Sequence, residues 1–173
     1  MIIDFHTHMF PDKIAARTID FLSKTGGDMN PFTDGTWKGL KESTKQAGID
    51  HSIVLPIATR PGQFHTIYEF ATHFQEGTLI SFGSLHPESE NYKEELRQIQ
   101  DMGMKGIKLH PDYQDTYFND IRYKRIISYA TELGLIISVH AGQDPKCPDN
   151  IHCTPAMAEE VLNEVEPEKG IRF

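Results

Sequence analysis

Met1-Ile2-Ile3-Asp4-Phe5-His6-Thr7-His8-Met9-Phe10 opens the chain, and its reading decides the fold. An apolar run leads directly into two histidines separated by one residue. On an extended strand alternate side chains share a face, so the expectation is that Asp4, His6 and His8 point the same way. Two imidazoles on one face of a strand end can reach a single metal ion. The remaining chain is then read for the other parts of such a site.

Downstream, apolar strands alternate with amphipathic helices. Strands are expected at residues 2–5, 52–57, 79–85, 106–110 and 135–140, the first of them short and buried. Helices are expected from Pro11–Asp12 to the Gly26–Gly27 pair, at 37–47, 63–75, 90–102 and 119–133, and from Thr154–Pro155 to about Val165. Thr at the cap and Pro at the first helical position form a start signal. Gly48, Gly103 and Gly134 stop helices that feed strands. The unit recurs at roughly 30 residues, the size of a strand–helix–strand repeat. A parallel sheet covered by helices follows, either an open doubly wound sheet or a closed barrel of eight units. Neither glycine-rich phosphate fingerprint occurs.

The chain has 173 residues, room for one domain with a true core, and no interdomain linker divides residues 1–173. A net charge of -8 argues against nucleic acid or an anionic membrane as partner. No apolar run approaches the ~20 residues of a membrane span, and no basic leader precedes the first strand. With Cys147 and Cys153 as the only cysteines, reduced thiols and a cytoplasmic location are expected.

The histidines are not scattered. Of nine, His6 and His8 leave the first strand, His110 ends the fourth and His140 ends the fifth. In α/β folds chemistry gathers at these carboxyl ends. Neutral imidazoles suit a zinc-type cation, which keeps an open position for water, lowers its pKa toward ~7 and polarises a carbonyl. A carboxylate would complete such a shell. Lys108 shares the face of His110 and pairs with Asp4 or a substrate carboxylate. His86 reads as a loop residue, and His51, His65 and His73 as solvent-facing. The loop 141–153 covers the mouth, with His152 turned toward substrate. Cys147, His152 and Cys153 do not have a standard zinc spacing.

Ile3-Asp4-Phe5-His6-Thr7-His8, Gly106-Ile107-Lys108-Leu109-His110-Pro111 and Val139-His140-Ala141-Gly142, in this order, resemble the amidohydrolase superfamily. The similarity is to its branch of metal-dependent TIM-barrel hydrolases and decarboxylases, of the aminocarboxymuconate semialdehyde decarboxylase type. The resemblance implies a (β/α)8 barrel, here incomplete, with about five of its eight parallel strand units. A sixth strand would begin at Gly170-Ile171-Arg172-Phe173. It implies His6, His8 and His140 as ligands of a divalent metal, zinc first and manganese as the alternative. Lys108 and His110 would orient substrate or a second ion, and no organic cofactor is implied. The implied reaction is hydrolysis of a small polar or carboxylated substrate by a metal-activated water. The alternatives are a non-hydrolytic decarboxylase with the same site, or a catalytically inactive metal-binding remnant. The implied partners are a small-molecule substrate and a second copy of the chain, joined through the open 135–139 strand edge.

Overall fold

The computed structural model describes residues 1–165 except 28 and 76. Its elements follow the expected order: β1 (Ile3–Thr7), α1 (Asp12–Thr25), α2 (Trp37–Gln46), β2 (His51–Val54), α3 (Phe64–Thr72), β3 (Leu79–Ser81), α4 (Tyr92–Asp101), β4 (Gly106–Leu109), α5 (Ile121–Glu132), β5 (Ile136–Val139) and α6 (Pro155–Glu164). The expected start of a sixth strand at 170–173 lies outside the described residues.

Every strand pairing among the described residues is parallel. β1 pairs with β2, β2 with β3, and β4 with β5. A single parallel bridge between Gly83 and Ile107 joins the two ladders, so the strands lie side by side in chain order. Gly83 supplies the backbone bonds of the bridge: its N–H donates to Gly106 O and its carbonyl accepts from Lys108 N, each at 2.9 Å. A β-carbon at Gly106 would run into the Phe82 ring and Ile136 O, and one at Gly83 into Ile99. Bare backbone at both positions allows this close approach. Consecutive parallel strands with returning helices form the wall of an incomplete α/β barrel.

Helix ends are set locally. Thr36 caps α2 by accepting from Gly39 N, Asp120 caps α5 by accepting from Arg122 N, and Thr154 caps α6 by accepting from Met157 N. The main core lies between the sheet and α4, α5 and α6, where Ile107, Leu109 and Ile137 meet Leu96, Ile99, Tyr123, Ile126, Ile127 and Val161. Ile53, Leu55 and Phe82 form a smaller cluster, with Ile80 and Ile136 packed against it. Alternation along β4 therefore leaves Gly106, Lys108 and His110 on the face away from these helices.

Three expectations need correction. The first strand is not buried: Ile3 and Phe5 are each 45% exposed, because β1 is the sheet's edge among the described residues. The third strand ends its regular ladder at Ser81 and continues only as the Gly83 bridge. The second ends at Val54, just before Pro56, which has no N–H to donate. Among the described residues no helix is long and apolar enough to cross a membrane.

Candidate metal centre

His6 lies within β1 and His8 directly follows it, with ring centroids 5.2 Å apart. The β1–β2 register shifts between Asp4 and Thr7, so strict alternation fails there. Asp4 does not join the imidazoles as expected; its Oδ1 accepts the N–H of His6 at 3.1 Å. His8 Nδ1 lies 2.8 Å from Leu55 O. A carbonyl can only accept, so Nδ1 carries the proton and Nε2 keeps its lone pair. Metal-binding histidines are held this way by their second nitrogen. His6 Nε2 lies 3.5 Å from the Lys108 ammonium. Lys108, fully buried, thus faces His6 rather than the expected Asp4.

At the ends of β4 and β5, the His110 and His140 rings stack at 4.2 Å and 5°. Tyr113 stacks on the other face of His110 at 4.0 Å. His140 Nε2 is buried and has no hydrogen-bond partner among the described residues. It faces Asp144 Oδ2 at 3.6 Å and Asp112 Oδ2 at 3.9 Å. His110 Nε2 is 3.9 Å from Asp144 Oδ2. Donor atoms of His110, His140 and Asp144 lie within 4.8 Å of one another. His110 is the least suited of these to hold a metal. Its Nδ1 accepts from Tyr113 N at 3.3 Å, which places the ring proton on Nε2 and makes that nitrogen a donor.

One electrostatic field covers the group. Burial pushes His110 down to about 3, helped by the neighbouring His140, Lys108 and His8. His8 is drawn down to about 4 by the protein packed around its ring and then by His6, although part of the residue faces solvent. His6 is lowered by burial, then by Lys108 and His140. Burial lowers Lys108 to about 8. These shifts keep His6, His8 and His110 neutral at pH 7, the form a ligand or a neutral donor needs. His8 Nε2 and His140 Nε2 each keep a lone pair, but among the described residues the donors gathered within 4.8 Å of one another are those of His110, His140 and Asp144, and His6 and His8 are not in that group.

Asp112 and Asp144 carried no role in the sequence reading. They stand two residues after His110 and four after His140, on loops with no periodicity. His152 does not face an open substrate mouth. It is buried beneath Tyr117, and its Nδ1 donates to Asp112 Oδ1 at 2.9 Å. Cys153 belongs to the hydrophobic core. His86 is a loop residue, as expected, but buried; its Nδ1 accepts from Glu88 N. His65 and His73 are exposed, while His51 is half-buried and bonded to Gly77 O.

Against known families, the amidohydrolase model matches residues 3–165. The chain belongs to the amidohydrolase family. No curated protein matches this amidohydrolase sequence. An uncharacterised TIM-barrel protein from Bordetella bronchiseptica is similar at 16% identity and a TM-score of 0.65, over 95% of this chain and 63% of that one. The manganese-bound 5-carboxyvanillate decarboxylase of Novosphingobium aromaticivorans is similar at 13% identity and a TM-score of 0.60, over 94% and 55%. A probable 2-pyrone-4,6-dicarboxylic acid hydrolase from Acinetobacter baumannii is similar at 13% and 0.54, over 81% and 49%. These likenesses establish the barrel fold. The amidohydrolase chain spans about half the length of such structures.

Proposed function

We propose that this amidohydrolase chain carries the metal-binding half of a hydrolase acting on a small polar, carboxylated substrate. His6, His8 and His140 would hold the cation. The observation that carries the reading is the lone-pair geometry: His8 Nε2 is freed by the Leu55 bond and His140 Nε2 is buried without a partner. A divalent cation bound there supplies acidification of water and polarisation of a carbonyl. Zinc suits the imidazoles, and manganese suits a shell that includes carboxylate.

The chain's own groups divide the remaining work. His110 offers an Nε2–H to a substrate oxygen. Lys108 is a buried cation beside His6 and would be the partner of a substrate carboxylate. Asp144 Oδ2, 3.6 Å from His140 Nε2, is placed to hold a proton during turnover. The free thiols Cys147 and Cys153 suit a reducing, cytoplasmic setting.

Decarboxylation with the same site is the second reading, favoured by the fold likeness to the manganese-bound 5-carboxyvanillate decarboxylase. A panel of lactones, amides and aromatic carboxylates, run in ¹⁸O-water with metal supplied, separates the two. Hydrolysis places solvent oxygen in the product, whereas decarboxylation releases carbon dioxide without it. Metal binding without turnover on the whole panel supports a binding remnant instead.

A further inference from the structure

A groove away from the histidines surrounds Trp37, the single tryptophan of the chain. Trp37 opens α2 and packs against Phe74 at 6.3 Å, and Phe74 meets Phe70 at 5.3 Å. Two cavities adjoin at this ring. One, of about 580 Å³, is lined in part by Trp37, Lys38, Lys41, Lys45 and Thr78. The other, of about 880 Å³, shares Trp37, Lys41 and Thr78 and is walled by Phe70 and Phe74. Residues 48–50 and Thr78, which also line the first cavity, lead into the amino ends of β2 and β3. His110 and His140 instead follow the carboxyl ends of β4 and β5.

Lys38, Lys41 and Lys45 stand three and four residues apart, so they share one stripe of α2. Lys38 and Lys41 hold their ammonium groups 5.7 and 6.0 Å from the Trp37 ring centre. All three lysines are exposed, and the lysine ion pairs among the described residues belong to Lys24 and Lys124 instead. Nearby carboxylates are engaged elsewhere: Asp50 Oδ2 accepts from Ile2 N at 2.6 Å, and Glu42 Oε1 accepts from Gln46 Nε2 at 3.0 Å. Like charges at this spacing repel and weaken a helix. Lys38 also stands in the first turn, where the helix dipole favours acids and α2 has none. Helix stability therefore does not account for the stripe. In a chain of net charge -8, it gathers positive charge beside an aromatic wall.

Charge and shape together select the ligand. Ammonium groups bind phosphate as point charges, and several in a row suit a dianion better than a single carboxylate. Aromatic rings add apolar and stacking contact for a planar group. We propose that this groove binds an aromatic phosphate, with its phosphoryl group on the lysine stripe and its ring against Trp37. The site is independent of the metal centre.

The test is titration of the purified protein with AMP, read by the fluorescence of Trp37. Adenosine and inorganic phosphate, the two halves of the probe, are titrated beside it. AMP is expected to change the fluorescence saturably, and each half to bind at least tenfold more weakly. Added salt should weaken AMP binding. Lys41→Ala and the Lys38→Ala/Lys45→Ala double, with folding checked by circular dichroism, are each expected to weaken it at least tenfold. The His6→Ala/His140→Ala double is expected to bind AMP like the unmodified protein. No saturable change at millimolar AMP overturns the proposal. Inorganic phosphate binding as tightly as AMP also overturns it, since the aromatic wall would then have no role. So does loss of AMP in the histidine double with retention in the lysine variants, which would place the probe at the metal centre.

Discussion

His8 Nδ1 is tied to the Leu55 carbonyl at 2.8 Å, so the residue that follows β2 orients a side chain that follows β1. The bond fixes which nitrogen is free. Asparagine at this position places its amide near Nδ1 and reproduces the Leu55 contact. Glutamine places its end nearer Nε2 and reproduces the ligand side. His8→Gln is therefore expected to keep more metal affinity than His8→Asn, with His8→Ala weakest, by a factor of about 10–100 or more against the unmodified chain. Dialysis against Zn²⁺ and Mn²⁺ reads the order, and an inverted order between Gln and Asn would reject His8 Nε2 as a ligand.

Beneath the site, Gln114 joins four backbone or side-chain groups. Its Nε2 donates to Ala58 O and Leu85 O at 2.8 and 2.9 Å. Its Oε1 accepts from His110 N at 2.9 Å and the Tyr123 hydroxyl at 2.7 Å. The side chain is buried, so removing it strands several polar groups away from water. Gln114→Leu is expected to cost about 3–5 kcal/mol in urea unfolding, in line with disruption of a buried network. Gln114→Glu retains the shape but cannot donate to both carbonyls when ionised, and is expected to destabilise as well. A loss under 1 kcal/mol in Gln114→Leu would show that the network is replaced by water.

Strand-end histidines were legible because strand periodicity and glycine-stopped helices place them without knowledge of tertiary contacts. His6 pairs with His8 and His110 stacks on His140, and the two pairs influence one another electrostatically. The shift of register between Asp4 and Thr7 was not legible, since no glycine or proline marks it. It left Asp4 bonded to its own strand. Exposure of Ile3 and Phe5 depends on what lies beside β1, which periodicity within β1 does not encode. Asp112, Asp144 and His152 sit on loops, where no repeat ties sequence spacing to direction. The approach of Asp112 and Asp144 to His140, and of His152 to Asp112, is a product of the tertiary fold alone.

The acid limb of stability follows from His110 and His8. Burial first, then neighbouring positive groups, lowers His110 to about 3, against an ordinary value of 6.5. Between these values the unfolded chain binds a proton that the folded chain refuses, so stability rises with pH across the window. Metal-free protein is expected to lose stability as pH falls from 6.5 toward 3, with His8, lowered to about 4, acting in the same direction. His110→Phe keeps a ring between Tyr113 and His140 while removing that titration. Its urea midpoint is expected to fall less steeply over this range. An identical slope would assign the acid limb to other groups.

Lys108 is a cationic base like the histidines and has the same sign of linkage. Its side chain is fully buried, and burial lowers it to about 8 from 10.5. The folded state thus gives up this proton before the unfolded state does, and the cost of burying the charge is fully present below pH 8. It fades as pH rises toward 10.5. Lys108→Met is expected to stabilise metal-free protein at pH 7 by roughly 1–3 kcal/mol. The gain should shrink above pH 8, while any affinity for carboxylated substrates is lost. Paired urea titrations of the two proteins at pH 7 and pH 10 check this. A gain that does not change with pH would be packing rather than charge.

Among the described residues β5 pairs only with β4, and no strand lies along its other edge. The N–H groups of Ile136 and His140 donate toward β4, to Lys105 O and Leu109 O. By the alternation of a parallel ladder, the N–H of Val139 points to the open side. An unpaired edge of apolar residues templates a further strand, and a second copy of this chain is the partner we propose. Sedimentation velocity across a concentration series is expected to show reversible association. Val139→Pro removes only the outward donor and leaves the β4 ladder intact, so it should weaken association with little change in folding. A chain that sediments as a monomer at every concentration sinks the proposal. Association undiminished in Val139→Pro moves the interface elsewhere, with exposed β1 and its Ile3 and Phe5 the next edge to test.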